Sequence, residues 1–357
     1  MNIAAKRLQS QRIAGPKFDT PAEVVRWMGA VQAQDYGQAV WAIGVRLKQP
    51  SLAAVQKAII DRSIVATWPM RGTIHFVPAE DAKWMVETLS YKKASRLSWH
   101  QKLLGITDTV LAEVQQLVVH ALQGGNILNR PQLMELFESN DFPTKEQRGY
   151  LYLSNLAEKG IICQGPLDGK QQTFVLLDEW VPQPINIERT AAITELATRY
   201  FTSHGPATVH DFANWTGLGV VEARQGLEGA KNSLSAELYD DVEYWLSKEV
   251  ALHSKPPLGV HLLPGFDEFI LGYKDRSAVL HADHARLIVP GNNGVFKPTI
   301  VFDGQVVGTW ARTIKKKTVD ISFTVFPEFS IPQAQLEAAA TVYADFVGLP
   351  LTIVPPK

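Results

Sequence analysis

The sequence is poor in cysteine, and this shortage excludes several classes of protein. Cys163 is the sole cysteine among 357 residues, so the chain holds neither an internal disulfide framework nor a cluster of thiolate metal ligands. No apolar run approaches the roughly 20 residues of a membrane-spanning helix, and the N-terminal segment lacks the apolar core of a secretory signal. We therefore expect a cytoplasmic protein that does not enter a membrane.

Several motifs of well-characterised enzymes are also absent. The sequence contains no GxxxxGK[ST] loop, no GxGxxG, no HExxH and no GxSxG. The segment HADH (281–284) places two histidines three positions apart, but so short a pattern favours a polar loop over a metal site. These absences argue against a kinase, a dehydrogenase or a metalloprotease, and we expect neither a metal nor a cofactor.

Basic and acidic residues are nearly equal in number overall, yet they are unevenly distributed along the chain. The formal net charge is −1, but residues 1–105 hold 15 Lys/Arg against 7 Asp/Glu, whereas the remainder holds 20 against 29. A basic first third and an acidic remainder are typical of a protein with one surface that meets a polyanion. The same excess spread over solvated faces is the alternative.

Three stretches of the chain share an order of elements typical of a winged helix-turn-helix, in which helices precede a β-hairpin. In the first, Thr20 caps a helix over residues 20–32, Ser51 caps a second, and residues 63–78 form a hairpin. A long amphipathic helix then runs to about Trp99. The second stretch ends in the strands IICQGP and TFVLLDEW, and the third in SLSAELY and VEYWLS. We expect three winged-helix domains, over residues 1–105, 106–186 and 187–253.

The pattern changes after the segment SKPP, which is typical of a linker. Residues 297–326 are rich in strand-forming side chains, and Asp303-Gly304 is a strong signal for a two-residue hairpin turn. A helix over residues 332–347 and a last strand, LTIV, follow. We expect residues 258–357 to form a small antiparallel, barrel-like β domain. The predicted fold class is therefore α+β, with tandem winged helix-turn-helix units followed by this domain.

Two glutamines, Gln32 and Gln34, stand one residue apart near the start of the chain. Residues i and i+2 lie about 200° apart around an α-helix but point the same way along an extended chain, so a shared site requires the helix to end near Val31. A carboxamide does not ionise, but it can hold a water molecule by one end and a substrate by the other. This suits hydrolysis of an N-glycosidic bond to a cationic base. A structural role, in which both amides cap the helix or hold the next turn, is the alternative.

These residues belong to a longer segment with a familiar pattern. LQSQRIAG followed by TPAEVVRWMGAVQAQDYGQAVWAIGVRL resembles the AlkZ-like (YcaQ) family of winged-helix DNA glycosylases. RGTIHFVP (71–78), LLPGFDEFILGYKDRS (262–277) and NNGVFKPTIVFDGQVVGTWAR (292–312) also resemble blocks of that family, in the same order. The resemblance covers nearly the whole chain. It implies tandem winged helices, a barrel-like C-terminal domain and excision of alkylated bases, with some members unhooking interstrand crosslinks.

The family's catalytic motif is Gln-x-Gln, or Gln-x-Asp in one branch, and the resemblance places it on Gln32 and Gln34. Asp35 stands one place too late to be the carboxylate of the Gln-x-Asp branch. The resemblance thus predicts that Gln32 and Gln34 position the water that attacks the anomeric carbon of an alkylated purine nucleotide. The activity would be that of a monofunctional N-glycosylase, a hydrolase that uses no catalytic lysine.

The resemblance also directs attention to RGTIH. Arg71, Thr73 and His75 are predicted to lie near the glutamines on a wing strand, where Arg71 would reach a phosphate and His75 would orient a neighbour or bind the DNA backbone. The alternative is a buried strand in which Arg71 pairs with an acid and His75 is a core residue with its hydrogen bonds satisfied. The residue types alone do not decide between these two interpretations.

Further residues are candidates for contact with substrate or DNA. Asp35 and Tyr36 follow the glutamines directly, and Tyr36 would either stack on a base or pack in the core. A basic hairpin supplies sequence-independent contacts to phosphates, or else only a solvated turn. Its residues are Arg312, Lys315, Lys316 and Lys317.

Two other functions stay open at this point. A non-enzymatic winged-helix regulator or lesion sensor would bind DNA equally well but would not depend on the glutamines. A small-molecule hydrolase ranks last, because no nucleophile motif supports it. The expected partner is damaged double-stranded DNA, and the expected state is a monomer, associated with the bacterial nucleoid when bound.

Overall fold

A computed structural model describes residues 2–90, 101, 103–248, 259–292 and 294–356 of the chain. Within these ranges no helix has the length and apolar character needed to cross a membrane. The helices and strands, in chain order, are α1 (Ile3–Ser10), α2 (Pro21–Met28), β1 (Val31–Gln32), α3 (Tyr36–Gly44), α4 (Leu52–Ile60), β2 (Ile64–Met70), β3 (Thr73–Pro78), α5 (Ala82–Leu89), α6 (Asp108–Leu122), β4 (Leu128–Asn129), α7 (Arg130–Glu138), α8 (Arg148–Glu158), β5 (Ile162–Gln164), β6 (Thr173–Leu176), α9 (Leu177–Trp180), α10 (Arg189–His204), α11 (Val209–Thr216), α12 (Val220–Ala230), β7 (Leu234–Tyr239), β8 (Val242–Ser247), β9 (Val260–Leu263), α13 (Glu268–Leu271), α14 (Ala285–Ile288), β10 (Thr299–Phe302), β11 (Gln305–Ile314), β12 (Val319–Val325), α15 (Gln333–Val347) and β13 (Leu351–Ile353).

The chain divides into two compact units. Unit 1 comprises Met1–Val55, Ile193–Trp215 and Gly219–Lys357, and unit 2 comprises Gln56–Ala192 and Thr216–Leu218. The first 55 residues therefore belong to the same compact unit as Ile193–Trp215 and Gly219–Lys357. The division into four domains made from the sequence stays a prediction.

The local sequence explains why α2 ends before the two glutamines. The Thr20 side chain accepts a hydrogen bond from the Glu23 N–H, and the Glu23 carboxylate accepts one from the Thr20 N–H, which confirms the predicted capping box. At the other end Gly29 adopts a φ of 76° and closes the helix after Met28, earlier than the predicted end at residue 32. The chain is thus extended at Val31–Gln32.

A helix that the sequence did not predict follows the glutamines at once. Asp35, Tyr36 and Gly37 are typical of a helix end, but here they begin α3. The Asp35 carboxylate accepts a hydrogen bond from the Gln38 N–H at 3.1 Å, and Asp35 is the N-cap. The same residue type caps helices and forms turns, so local sequence did not distinguish the two outcomes.

Helix α3 is held against the C-terminal helix by aromatic packing. Trp41 lies with its ring centroid 5.0 Å from those of both Tyr343 and Phe346 in α15. Gly44 permits this approach, because a Cβ at that position would lie 2.5 Å from the Phe346 ring. The segment that follows the glutamines is therefore fixed to the C-terminal part of unit 1.

The C-terminal part of unit 1 contains a curled sheet. Within the described residues its strand order is β13-β12-β11-β10-β9, with antiparallel pairing from β9 to β12. Asp303 and Gly304 have φ of 50° and 87° and form the predicted two-residue turn. The prediction of an all-antiparallel domain is wrong in one respect, because β13 pairs with β12 in parallel. Helix α15 connects β12 to β13 along the chain. It returns the chain to the end of the sheet where β12 began, as a parallel connection requires.

Unit 2 contains the first two predicted hairpins. Strands β2 and β3 pair antiparallel, and their turn is formed by Arg71 and Gly72 with φ of 54° and 70°. Strands β5 and β6 form the second hairpin, and β5 also pairs with β2. The third predicted hairpin, β7 with β8, lies in unit 1. The part of the predicted helix that runs on to Trp99, and the linker SKPP, lie outside the described residues.

Candidate active site

Gln32 presents a buried hydrogen-bond acceptor on strand β1. Gln32 as a whole is partly exposed. Its backbone N–H donates a hydrogen bond to Glu268 Oε1 at 3.4 Å. Its side-chain oxygen Oε1 is buried and accepts no hydrogen bond from any residue that the structure describes. Since a buried polar atom without a partner is unfavourable, Oε1 is suited to bind a water molecule or a substrate group.

The residues that follow Gln32 are more accessible. Gln34 and Asp35 are exposed and Tyr36 is partly exposed. Asp35 uses its carboxylate to cap α3, so it has a structural role besides the contact predicted for it. The predicted contacts of Asp35 and Tyr36 with substrate or DNA stay predictions.

Gln38, which the sequence reasoning did not single out, joins α3 to the C-terminal sheet. Its Oε1 accepts hydrogen bonds from the Gly265 N–H at 2.9 Å and from Arg312 Nη1 at 3.0 Å. The Arg312 guanidinium also lies 5.6 Å from the centre of the Trp310 ring and 5.3 Å from that of Tyr343. Arg312 is therefore a partly buried residue held close to the glutamine segment, and not a freely solvated cation.

The solvent-facing side of β11 and β12 forms a groove of about 860 Å³. Every second residue of a strand points to the same face of the sheet. On the face that forms the groove, three such residues of β11 stand opposite three of β12, and most of the six carry hydroxyl groups. These pairs are Thr309 with Thr324, Ala311 with Ser322, and Thr313 with Asp320. Lys297, Arg312 and Lys315 also line the groove, and Lys315 pairs with Asp320 at 2.6 Å. Lys316 and Lys317 are exposed in the adjoining turn.

A buried polar cluster contacts the Gln32 backbone through Glu268. Glu268, with 1% of its surface exposed, accepts a hydrogen bond at Oε2 from Trp215 Nε1 at 3.0 Å. His204 Nε2 lies 3.5 Å from the same oxygen. Burial lowers the pKa of His204, and the opposing effect of the Glu268 carboxylate is the smaller of the two.

Beside this cluster is a buried ion pair. Arg46 and Asp267 are each 1% exposed at the side chain, and the guanidinium binds both carboxylate oxygens at 2.9 Å. Arg46 also donates to the backbone oxygen of Ala42 at 2.7 Å and to that of Gln11 at 2.9 Å. The pair therefore ties the N-terminal helices to the segment that carries Glu268.

Arg71, Thr73 and His75 come together within unit 2. His75 is 0% exposed, its Nδ1 lies 2.9 Å from the Thr73 carbonyl oxygen, and its Nε2 lies 3.3 Å from Arg71 Nη2. A carbonyl accepts, so Nδ1 carries the proton and Nε2 accepts from the guanidinium. The full burial of the ring and its two hydrogen bonds fit the alternative of a core residue with its hydrogen bonds satisfied, and they fit a role in orienting Arg71 equally well. The roles predicted for Arg71, Thr73 and His75 in binding substrate or DNA stay predictions. The glutamines belong to unit 1.

The described residues contain no group of three or more His, Cys, Asp and Glu side chains placed to hold a metal ion. His281 and His284, in the HADH segment, have ring centroids 5.8 Å apart, and His284 Nε2 pairs with Glu328 at 2.5 Å. This histidine is accordingly engaged by a carboxylate.

The chain belongs to the family of AlkZ-like DNA glycosylases, whose sequence model matches residues 25–346. A relative from Streptomyces sahachiroi, named an interstrand DNA cross-link repair glycosylase, is 29% identical, covering 99% of this chain and 98% of its own length. The solved structure of Streptomyces sahachiroi DNA glycosylase AlkZ is similar with a TM-score of 0.82 and 27% identity, over 99% of this chain and 98% of that one. The family resemblance seen in the sequence is thereby confirmed.

Proposed function

We propose that the protein is a DNA repair glycosylase that hydrolyses the N-glycosidic bond of alkylated, cationic purines in double-stranded DNA. Interstrand crosslinks between such purines are a further class of substrate. The observation that carries this proposal is the buried Oε1 of Gln32, two residues before Gln34, which has no hydrogen-bond partner among the described residues of this AlkZ-like chain. The name of the Streptomyces relative supports the inclusion of crosslinks.

The proposed step is a hydrolysis that needs no metal and no lysine nucleophile. Gln32 Oε1 accepts a hydrogen bond from a water molecule, and the carboxamide of Gln34 provides a second contact to the water or the sugar. The C1′–N bond breaks first, and its electron pair neutralises the cationic purine. The water oxygen then bonds to C1′, and its proton passes to solvent. A sugar that is already cationic needs a well-placed water more than a strong base.

We also propose that the three helix–hairpin segments act as winged-helix DNA-binding units, with Arg71 and the basic groove contacting phosphates. Three cations line the groove and hydroxyl groups cover its floor. Both kinds of side chain donate hydrogen bonds to phosphate oxygens. This surface would position the duplex without reading its sequence.

The first experiment measures release of N7-methylguanine from a duplex that carries one such lesion, with a crosslinked duplex alongside. Strand breaks after alkaline treatment report excision. We expect the wild-type protein to excise the base and the Gln32→Ala/Gln34→Ala variant to bind the duplex without excision. A wild-type protein that binds DNA but releases no base would instead indicate a regulator or lesion sensor.

A second experiment tests the groove. Lys297→Ala removes one cation, so the slope of log K against log salt concentration should fall by about 0.9, with weaker binding on every duplex sequence. Ala311→Asp, which places a carboxylate on the exposed floor, should weaken binding further. The controls are Lys231→Ala and Thr341→Asp, which make the same changes at exposed positions away from the groove. Equal effects from the controls would exclude a specific role for the groove.

A further inference from the structure

Gln38 connects the helix that follows the glutamine motif to the basic groove through a single oxygen atom. Its Oε1 accepts hydrogen bonds from the Gly265 N–H at 2.9 Å and from Arg312 Nη1 at 3.0 Å. Both partners are donors, so the atom that lies between them is the amide oxygen and not the amide nitrogen. Two partners from distant parts of the chain therefore fix the orientation of this amide.

A neutral acceptor holds the Arg312 guanidinium without cancelling its charge. Arginine stays protonated at physiological pH, and in the described part of the chain no carboxylate forms an ion pair with Arg312. Asp320, an acid that lines the groove, pairs with Lys315 instead. The Asp35 carboxylate accepts the Gln38 backbone N–H as the N-cap of α3.

The guanidinium is held against the first turn of α3. Arg312 Nη2 lies 3.3 Å from the position that a Cβ would occupy at Gly37. The rings of Trp310 and Tyr343 flank the guanidinium, with their centres 5.6 and 5.3 Å from its carbon. Contacts on several sides therefore restrict the orientation of this side chain, which lies at one end of the groove-lining strand β11.

Arg312 retains hydrogen-bond donors for a ligand in the groove. Nη1 is the nitrogen through which it binds a described residue, whereas Nε and Nη2 have no such partner and are not fully buried. A planar guanidinium binds a phosphate through two N–H groups at once. The geometry thus suits a contact to one phosphate group.

A phosphate bound by Arg312 would lie close to the reacting sugar. Gly37, which contacts the guanidinium, follows Gln34 by three residues, and three residues span at most about 11 Å. One nucleotide adds about 3.4 Å along a strand. The phosphate would therefore belong to a nucleotide within a few positions of the lesion.

We propose that Gln38 is a positioning residue that fixes Arg312 on one phosphate beside the lesion, and that this contact aligns the reacting sugar with Gln32 and Gln34. The inference rests on the proposed function, because it assumes that a damaged duplex binds along the groove. It goes beyond that function by assigning the contact to the rate of bond cleavage. A phosphate contact that only added affinity would leave the rate in the bound complex unchanged.

The test uses duplexes with one N7-methylguanine in which a single phosphate near the lesion is replaced by an uncharged methylphosphonate, one linkage at a time. The single-turnover rate of base release is measured with the duplex saturated by protein, and Kd is measured separately. We expect one linkage, the sensitive linkage, at which replacement slows release by the wild-type protein about tenfold or more. At the other linkages replacement should change Kd alone.

Gln38→Glu distinguishes positioning from a structural role. It keeps the size of the side chain and an acceptor for Gly265 and Arg312, but its carboxylate pairs with the guanidinium. We expect the slope of log K against log salt concentration to fall by about 0.9, and replacement at the sensitive linkage to slow release no further. A merely structural role would leave both measurements as in the wild type.

Gln335→Glu is the matched control, since it makes the same substitution at an exposed position of α15. It should leave both measurements at their wild-type values. A second comparison uses Gln38→Met, Arg312→Ala and the double variant. If Gln38 acts through Arg312, the double variant releases the base no more slowly than Arg312→Ala.

Three results overturn the inference. The first is a wild-type protein whose release rate is slowed at no linkage, which decides the matter even where no variant folds. The second is a folded Gln38→Glu with the wild-type salt slope and a sensitive linkage. The third is a double variant in which the losses of Gln38→Met and Arg312→Ala multiply.

The proposed function and this inference fail in different ways. A protein that releases N7-methylguanine at a rate independent of every nearby phosphate overturns the role of Gln38 alone. A protein whose Kd depends on one phosphate through Gln38 and Arg312, but which releases no base, overturns the proposed hydrolysis and with it the effect on rate, while the phosphate contact stands. Binding that depends on no single phosphate, without base release, overturns both.

Discussion

Gln32→Ala is expected to lower the single-turnover rate of N7-methylguanine release by about a hundredfold or more, a loss of about 3 kcal/mol of transition-state stabilisation. The physical reason is that Gln32 Oε1 is a buried acceptor with no partner among the described side chains, and alanine has no group to hold the attacking water. The Kd for the lesion duplex should stay within about twofold, because the phosphate contacts are unaffected.

Gln34→Asp is the informative companion to this variant. It converts the motif to Gln-x-Asp, the second form implied by the family resemblance, and should retain most of the activity. Gln34→Ala should lose activity as Gln32→Ala does. If both alanine variants release the base at the wild-type rate, the glutamines are structural and the proposed mechanism is wrong.

Asp267→Asn is expected to lower the free energy of unfolding by about 3–5 kcal/mol. The substitution leaves the Arg46 guanidinium, whose side chain is 1% exposed, without its charged partner. Asp267 also accepts the Phe269 backbone N–H at 2.9 Å as the N-cap of α13, and the carbonyl oxygen of asparagine can keep this cap, so the expected loss comes from the ion pair. Urea denaturation at neutral pH measures the change.

The matched comparison is an ion pair at the surface. Lys48 and Asp19 pair at 2.7 Å with side chains 54% and 69% exposed, so Lys48→Ala should cost no more than about 1 kcal/mol. Similar losses in Asp267→Asn and Lys48→Ala would show that the buried pair contributes no more than a surface pair.

The features that the sequence predicted correctly are those set by neighbouring residues. The capping box of Thr20 and Glu23 and the turn at Asp303-Gly304 each depend on a few consecutive side chains. Helix α3 was missed because its N-cap, Asp35, is equally typical of a turn. The parallel β13 was missed because strand direction depends on where α15 returns the chain, which no local pattern specifies.

The candidate site was predictable to a similar extent. The two glutamines could be found from the sequence, because they stand one residue apart and match the pattern of the family. The residues that contact the motif are distant from it in sequence. Gln38 meets Arg312 across 274 positions, and Gln32 meets Glu268 across 236. The segment that contains Glu268 carried part of the family resemblance. Only the folded chain shows that this acid lies against the Gln32 backbone.

The assembly of unit 1 from separate stretches of chain determines when the site forms during synthesis. The glutamines leave the ribosome early, but Glu268, Arg312 and the aromatic side chains that hold α3 belong to Gly219–Lys357. A growing chain therefore carries the motif without the residues that fix its conformation. The proposed base excision would therefore begin only after translation has reached the C-terminal helix, and unfinished chains would not cut damaged bases from DNA.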